Sequence, residues 1–216
     1  MGFECPRAAV EELAGAVSEA QCDLLTRYAE RLAAAAGRVS VISRGSVGRL
    51  EEHLVDSAAV LSVVDVEGRT VADLGSGGGL PGVVVAVLRP DTTVTLVESR
   101  RGKVAFLKQV QRDLKLPNLE IAHSRLEELA GTRAFDVALS RALGRVDRTL
   151  ALSLKLLAAG GRLVLFTGPD WPREAEEAHA IARKEGATLE RTVEVELPGI
   201  GRTTAFVVFH VKQKAA

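Results

Sequence analysis

The segment VADLGSGGGLPG, Val71 to Gly82, sets five glycines within twelve residues directly after an apolar run, with Asp73 two positions ahead of the first. Gly75, Gly77 and Gly79 allow tight turns and a close approach of main-chain N–H groups to a ligand, and Pro81 suits the first turn of a helix. A loop of this kind between a strand and a helix is where open α/β sheets hold nucleotide-like molecules. Glu98 lies 23 residues past Gly75, at the end of the next β-branched run, where a carboxylate accepts both hydroxyls of a ribose. Glycine loop plus ribose acceptor fits a dinucleotide or S-adenosyl-L-methionine. Asp73 favours the second, because its charge helps an ammonium or sulfonium and is ill placed beside a pyrophosphate. Leu80 also stands where a dinucleotide fingerprint carries its third glycine.

These side chains need strands and helices to bring them together. From Thr70 the runs TVADL, TVTLVE, LEIA, FDVALS and GRLVLF alternate with helical segments at Pro81–Leu88, Gly102–Leu114, Leu126–Ala130 and Val146–Leu157. Alternation of that kind predicts a doubly wound α/β sheet of mostly parallel strands. After a helix around Arg173–Lys184, the segments Leu189–Leu197 and Thr203–Val211 are joined only by PGIGR, too short for a crossover, so they are expected to form an antiparallel hairpin. That hairpin is a further departure from a dinucleotide fold. Ahead of the sheet, from Pro6 to Val64, apolar residues recur at steps of three and four, among them Leu24, Leu25, Tyr28, Leu32, Leu50, Leu54, Ala58 and Leu61. This reads as an N-terminal helical cap over residues 1–66 on a Rossmann-like core over 67–216.

Composition bounds the class. The chain's 216 residues are 47% apolar, enough for a sizeable core, and its 28 basic and 28 acidic side chains leave any polyanion to be met by a local patch. Cys5 and Cys22 lack metal-ligand spacing and are too few for a disulfide framework, so they read as buried small hydrophobes in a reducing compartment. No metal site is expected. Acidic residues interrupt the N-terminus where a signal peptide would be apolar, and no apolar run approaches the roughly 18 residues of a spanning helix. The expectation is a cytoplasmic protein, not bound to membrane.

DLGSGGGLPG, with LRPD at Leu88 to Asp91, KVAFLKQVQRDLKLPN at Lys103 to Asn118, SRLEEL at Ser124 to Leu129 and SRAL at Ser140 to Leu143, closely resembles the bacterial glucose-inhibited division protein B family. The resemblance runs from about His53 to Phe166. Members are class I methyltransferases that use S-adenosylmethionine to methylate N7 of a guanine in 16S ribosomal RNA. For this chain the resemblance implies that Gly75 and Leu80 line the cofactor, that Glu98 takes its ribose, and that Leu126 and Glu127 sit at the adenine. Arg141 would stand at the mouth shared by cofactor and substrate. His53 and Asp56 match the family's H-x-x-D; by spacing alone, such a pair is a contact along one helix face. The chain departs from the family at Val39-Ser40-Val41, in place of Asn-Leu-Thr, and at Thr167-Gly168, in place of lysine-glycine; Lys103 and Lys155 are the candidates to replace that lysine.

Methyl transfer from a sulfonium is an in-line displacement, and guanine N7 has a lone pair and no proton, so positioning matters and no general base is required. Ser140-Arg141-Ala142-Leu143 occupies the place where enzymes that methylate exocyclic amines often carry Asp/Asn-Pro-Pro-aromatic. Arg141 is the catalytic candidate, orienting the base or a phosphate through its planar donor fork; the plainer alternative is an ion pair with Asp136 or Glu127. RNA contacts are expected from Arg145, Arg148 and His53. Arg100, Arg101, Lys103, Lys108, Arg112 and Lys115 form another basic group, readable as an RNA contact or as a solvated helix face. With 4% aromatic residues, extensive base stacking is not expected. The expected partner is 16S rRNA or a small-subunit precursor, met by a monomer. The rival readings are another RNA or a small molecule as acceptor, a nicotinamide-dependent oxidoreductase, and a non-catalytic binding module.

Overall fold

The computed structural model describes residues 3–141, 146–167 and 171–212. Among them seven strands make one sheet: β1 (Thr70–Leu74), β2 (Thr93–Glu98), β3 (Leu119–His123), β4 (Phe135–Arg141), β5 (Leu157–Thr167), β6 (Ala187–Leu197) and β7 (Arg202–Val211). Their order is β3-β2-β1-β4-β5-β7-β6. Strands β1 to β5 pair in parallel, and β7 runs antiparallel to both β5 and β6. The strand order reverses between β1 and β4, which opens a crevice at their C-terminal ends.

The expected hairpin is present, and its second strand lies inside the sheet. Phe206, Val207, Val208 and Phe209 are all fully buried. A continuous apolar run of this kind needs cover on both faces, which an inner strand has. Charged side chains alternate along β6, which suits the edge.

The helices are α1 (Arg7–Ala14), α2 (Glu19–Ala35), α3 (Leu50–Ala58), α4 (Gly82–Leu88), α5 (Arg101–Leu114), α6 (Leu126–Leu129), α7 (Val146–Leu154) and α8 (Trp171–Lys184). Ser18 and Gln21 form a reciprocal capping box at the start of α2, and the Gln21 amide also donates to the carbonyl of Val87 at 3.0 Å. Helix α4 reads GVVVAVL, poor in helix propensity, yet every residue in it is buried, so packing decides its conformation. Helix α7 ends at Leu154 rather than at Leu157, because Leu157 already pairs with Phe135 in the sheet. A short apolar run at a helix–strand junction has no period to separate the two.

Alternation along the strands sorts the core. Val71, Val94, Leu96, Val137 and Leu139 pack with α4, α5 and the N-terminal helices, whereas Ala72, Leu74, Val97 and Ala138 pack with α7 and α8. Leu25, Tyr28, Leu32 and Leu54 from the N-terminal helices are fully buried in the first of these clusters. Each such side chain contributes about 1.5–3 kcal/mol, so these helices are held by the same core as the sheet. The cysteines differ from expectation: both are half-buried, with Cys5 Sγ 3.2 Å from Cys22 Sγ. Burial, then the contact with Cys22, pushes the Cys5 thiol up to about 12. No helix among the described residues is long and apolar enough to cross a membrane.

Candidate active site

After Leu74 the chain turns through Gly75 to Gly79 before entering α4. The N–H groups of Gly75 and Ser76 donate to the Val97 carbonyl at 2.9 and 3.1 Å, fastening the loop to the end of β2. The next residue is Glu98, only 6% exposed, which accepts from Gly77 N–H at 3.1 Å and from Arg100 N–H at 2.8 Å. Lys103 Nζ lies 3.9 Å from the same carboxylate. An ionised carboxylate offers about four acceptor positions, so these main-chain donors orient Glu98 and leave capacity for hydroxyl groups.

The loop is braced from the other side by the cap. Tyr28 of α2 is fully buried and donates its hydroxyl to the Gly78 carbonyl at 2.8 Å. Burial holds the phenol well above its ordinary pKa of 10, so it remains a donor. Gly79 has φ of 99°, and a Cβ there would lie 2.6 Å from Val83 Cγ2 and 3.0 Å from the Tyr28 hydroxyl. Only glycine fits that position.

Asp73 sits beneath the loop, 1% exposed, and accepts from Gly82 N–H at 3.0 Å. Gly82 is bare for a reason: a Cβ would fall 2.3 Å from Leu96 Cδ2 and 2.7 Å from Asp73 Oδ2. Burial pushes the Asp73 carboxyl up to about 7, with the Gly82 N–H and the nearby Arg141 cation pulling the other way. In this arrangement Asp73 ties β1 to the first turn of α4.

Gly75, Glu98, Leu126 and Glu127 line one open cleft of about 770 Å³ at the ends of β1, β2 and β3. Sequence reasoning did not single out Ser99, His123, Thr149 or Leu152, which line it too. His123 pairs with Glu98 in the sheet register, the one signal that could have drawn it in. Leu80 is half-buried and packs against the core shared with the cap.

Arg141 ends β4 beside Phe166 of β5, and its guanidinium carbon lies 5.9 Å from the Phe166 ring centre. It pairs with Asp56 at 2.9 Å and donates to His53 Nδ1 at 3.1 Å. The H-x-x-D residues, one turn apart on α3, therefore converge on one arginine, and the alternatives Asp136 and Glu127 are not its partners; Asp136 instead accepts from the Thr70 N–H and hydroxyl. Because arginine only donates, His53 Nδ1 must accept, which requires a neutral ring with its proton on Nε2. Burial, and then the Arg141 cation, lower the His53 pKa, while Asp56 opposes them. Arg141 and Asp56 also line a cavity of about 290 Å³ with Phe166, Thr167, Thr203 and Thr204.

Thr167 closes β5 and donates to the Ala205 carbonyl at 3.1 Å. Of the candidates to replace the family's lysine, Lys103 turns to Glu98, and Lys155 pairs with Glu185 at 3.7 Å. Arg145 lies outside the described residues, and of Arg148 only the backbone position on α7 is described.

The donor set suits S-adenosylmethionine. A nearly buried, main-chain-oriented carboxylate stands at the end of β2, and Val97, Leu126 and Leu152 give the same cleft apolar walls.

Comparison with solved structures gives the same fold. The structure described as "M. jannaschii TYW2 in complex with AdoMet" superposes with a TM-score of 0.57 at 16% identity, over 78% of this chain and 76% of that one. A SAM-dependent O-methyltransferase from Thermotoga maritima gives 0.56 at 16% identity, over 74% and 66%. In sequence, the chain is 35% identical over 191 residues to ribosomal RNA small subunit methyltransferase G of Mycobacterium marinum, covering 85% of this chain and 82% of that one. Against the Arthrobacter protein of the same name it is 32% identical, over 97% and 98%. The family model described as GidB, rRNA small subunit methyltransferase G, matches residues 21–200, and with these relatives it shows that the chain belongs to that family.

Proposed function

We propose that this chain methylates N7 of a guanine in 16S ribosomal RNA. When bound, S-adenosylmethionine supplies a methyl group on a positively charged sulfur. Glu98 would hold the ribose hydroxyls and Leu126 with Glu127 the adenine, with Gly75 lining the cofactor; Gly77, Gly79, Leu80 and Asp73 keep the loop in shape. Residues 1–66 act as the cap that carries His53 and Asp56 to Arg141, and residues 67–216 as the core that holds the cofactor. Arg145 and Arg148 are assigned to RNA contacts.

The observation that carries this reading is Arg141 at the end of β4, held by Asp56 and His53 and lining a cavity of about 290 Å³. A guanidinium fixed on one side keeps its remaining N–H groups for the substrate, where they would meet a base oxygen or a phosphate. The end of β4 lacks the polar–Pro–Pro–aromatic signature of amino methylation, and N7 transfer needs no proton acceptor. Most of the acceleration would then come from holding acceptor and donor at reacting distance.

The test is methyl transfer from labelled S-adenosylmethionine to small ribosomal subunits from cells lacking this family's enzyme, with the nucleoside identified by mass spectrometry. 7-Methylguanosine at one position is the expected product. Any other methylated nucleoside, or none with S-adenosylhomocysteine binding intact, overturns the assignment.

A further inference from the structure

Helices α2 and α5 lie side by side, and between them runs a cleft of about 360 Å³ that plays no part in the site above. Its floor is small and apolar, from Ala34, Ala35 and Val39 on one side and Ala105 and Phe106 on the other, with the Gln109 amide at the edge. Cations border both sides. Arg31 and Arg38 line the α2 wall, and Arg101, Lys108 and Arg112 follow one another at seven and four residues on the exposed face of α5. Asp113 is held by Arg31 at 2.9 Å and Glu30 stands exposed on α2, whereas no ion pair among the described residues engages Arg38, Arg101, Lys108 or Arg112. A narrow apolar floor with the unpaired Arg38 on one side and Arg101, Lys108 and Arg112 along the helix on the other suits a flexible polyanion with flat hydrophobic groups.

The cleft also leads to the cofactor loop. A Cβ on Gly102 would lie 4.0 Å from Val39 Cγ1, and one on Gly78 would lie 3.1 Å from the Val41 carbonyl, so the segment that closes the cleft is the one that rests on the glycine loop. Lys103, next to Gly102, reaches Glu98 at 3.9 Å.

We propose that the α2–α5 cleft is a second RNA-binding surface, which seats a single-stranded stretch of the rRNA substrate, phosphates on the cations along its two sides and a base on the alanine floor, and so feeds the chain toward the glycine loop. This rests on the rRNA reading for the identity of the polymer. The chemistry is that of single-strand recognition, with charge supplying affinity and a sequence-tolerant surface accepting the base.

Two variants of the full-length protein test it with protein-free 16S rRNA as probe. Arg38→Glu combined with Arg112→Glu reverses charge on both rims, and Ala34→Trp fills the floor without changing charge. All substituted positions are exposed. The double variant is expected to lose about tenfold or more in RNA affinity at 0.1 M salt, and to lower the slope of log affinity against log salt by about 1.5, since each phosphate contact contributes roughly 0.7–0.9. Ala34→Trp is expected to weaken RNA binding several-fold with the slope kept. S-adenosylhomocysteine affinity stays at the wild-type value in both, which also reports a folded core. Wild-type RNA affinity in either variant overturns the proposal. Wild-type protein that binds RNA through this cleft but never methylates it overturns the reading of function and leaves the cleft standing; methylation unaffected by both variants does the reverse.

Discussion

The two halves of the site are built differently. The cofactor side is mostly backbone: the glycine loop is fastened to Val97 by main-chain bonds, and Glu98 is aimed by the N–H groups of Gly77 and Arg100. The substrate side is made of side chains from distant elements, with Arg141 of β4 held by Asp56 and His53 of α3. Main-chain geometry survives most substitutions around it, whereas an ion pair between two elements is lost when either partner changes. The cofactor half should therefore fail only at a few positions, and the substrate half at many.

The largest expected effect separates the halves outright. Glu98→Ala removes the acceptor for two hydroxyls, each worth about 1.5–3 kcal/mol to a charged group, so S-adenosylhomocysteine affinity falls about 10²-fold or more by calorimetry. RNA affinity stays unchanged; a parallel fall in RNA binding would break the division. Next comes Arg141→Ala, expected to lower kcat about 10²-fold through lost orientation while S-adenosylhomocysteine binding stays within a few-fold. Arg141→Lys should recover little, because an ammonium cannot contact Asp56, His53 and substrate through one planar fork.

Tyr28→Phe probes the hydrogen bond by which the cap holds the cofactor loop. It leaves the Gly78 carbonyl buried without its donor, at a cost of about 1–3 kcal/mol. Thermal melting should drop by several degrees and cofactor affinity should weaken, with kcat at saturating cofactor preserved. An unchanged cofactor affinity would show that the two halves are independent even there.

The smallest effect is in pH. His53 must be neutral to accept from Arg141, and its pKa is lowered from 6.5 in the fold. Above pH 6.5 the neutral ring is present in both folded and unfolded chains and its contribution is complete. As pH falls below 6.5 the unfolded chain takes up the proton first, so stability declines until the lowered pKa is passed. The acid limb of kcat/KM should accordingly lie below pH 6.5. His53→Asn keeps an acceptor without a titration and should flatten that limb by a few-fold.

What the sequence disclosed follows the same division. The glycine loop and Glu98 were legible because their spacing is local to one βαβ unit. The doubly wound, mostly parallel sheet followed from alternating periods, and the hairpin from a five-residue link. The partnership of His53 with Arg141 spans 88 positions, and that of Tyr28 with Gly78 spans 50, so neither leaves a local pattern; Tyr28 read only as part of an apolar stripe. Asp73 shows information present but unused. It shares a face of β1 with Val71, two residues away, and Val71 packs toward α4, so the period of two already directed its carboxylate under the helix, where Gly82 leaves room for it.

The place of β7 has a consequence for how the chain is made. Strands emerge from the ribosome in sequence order, yet β7 lies between β5 and β6, both synthesised before it. Until β7 arrives, β5 and β6 wait with open hydrogen-bonding edges, the condition in which nascent chains associate with one another. Glu190, Arg191, Glu194 and Glu196 place charge along the waiting β6, three of the four negative. Nascent copies would repel one another there, and the gap stays open for the strand that belongs in it.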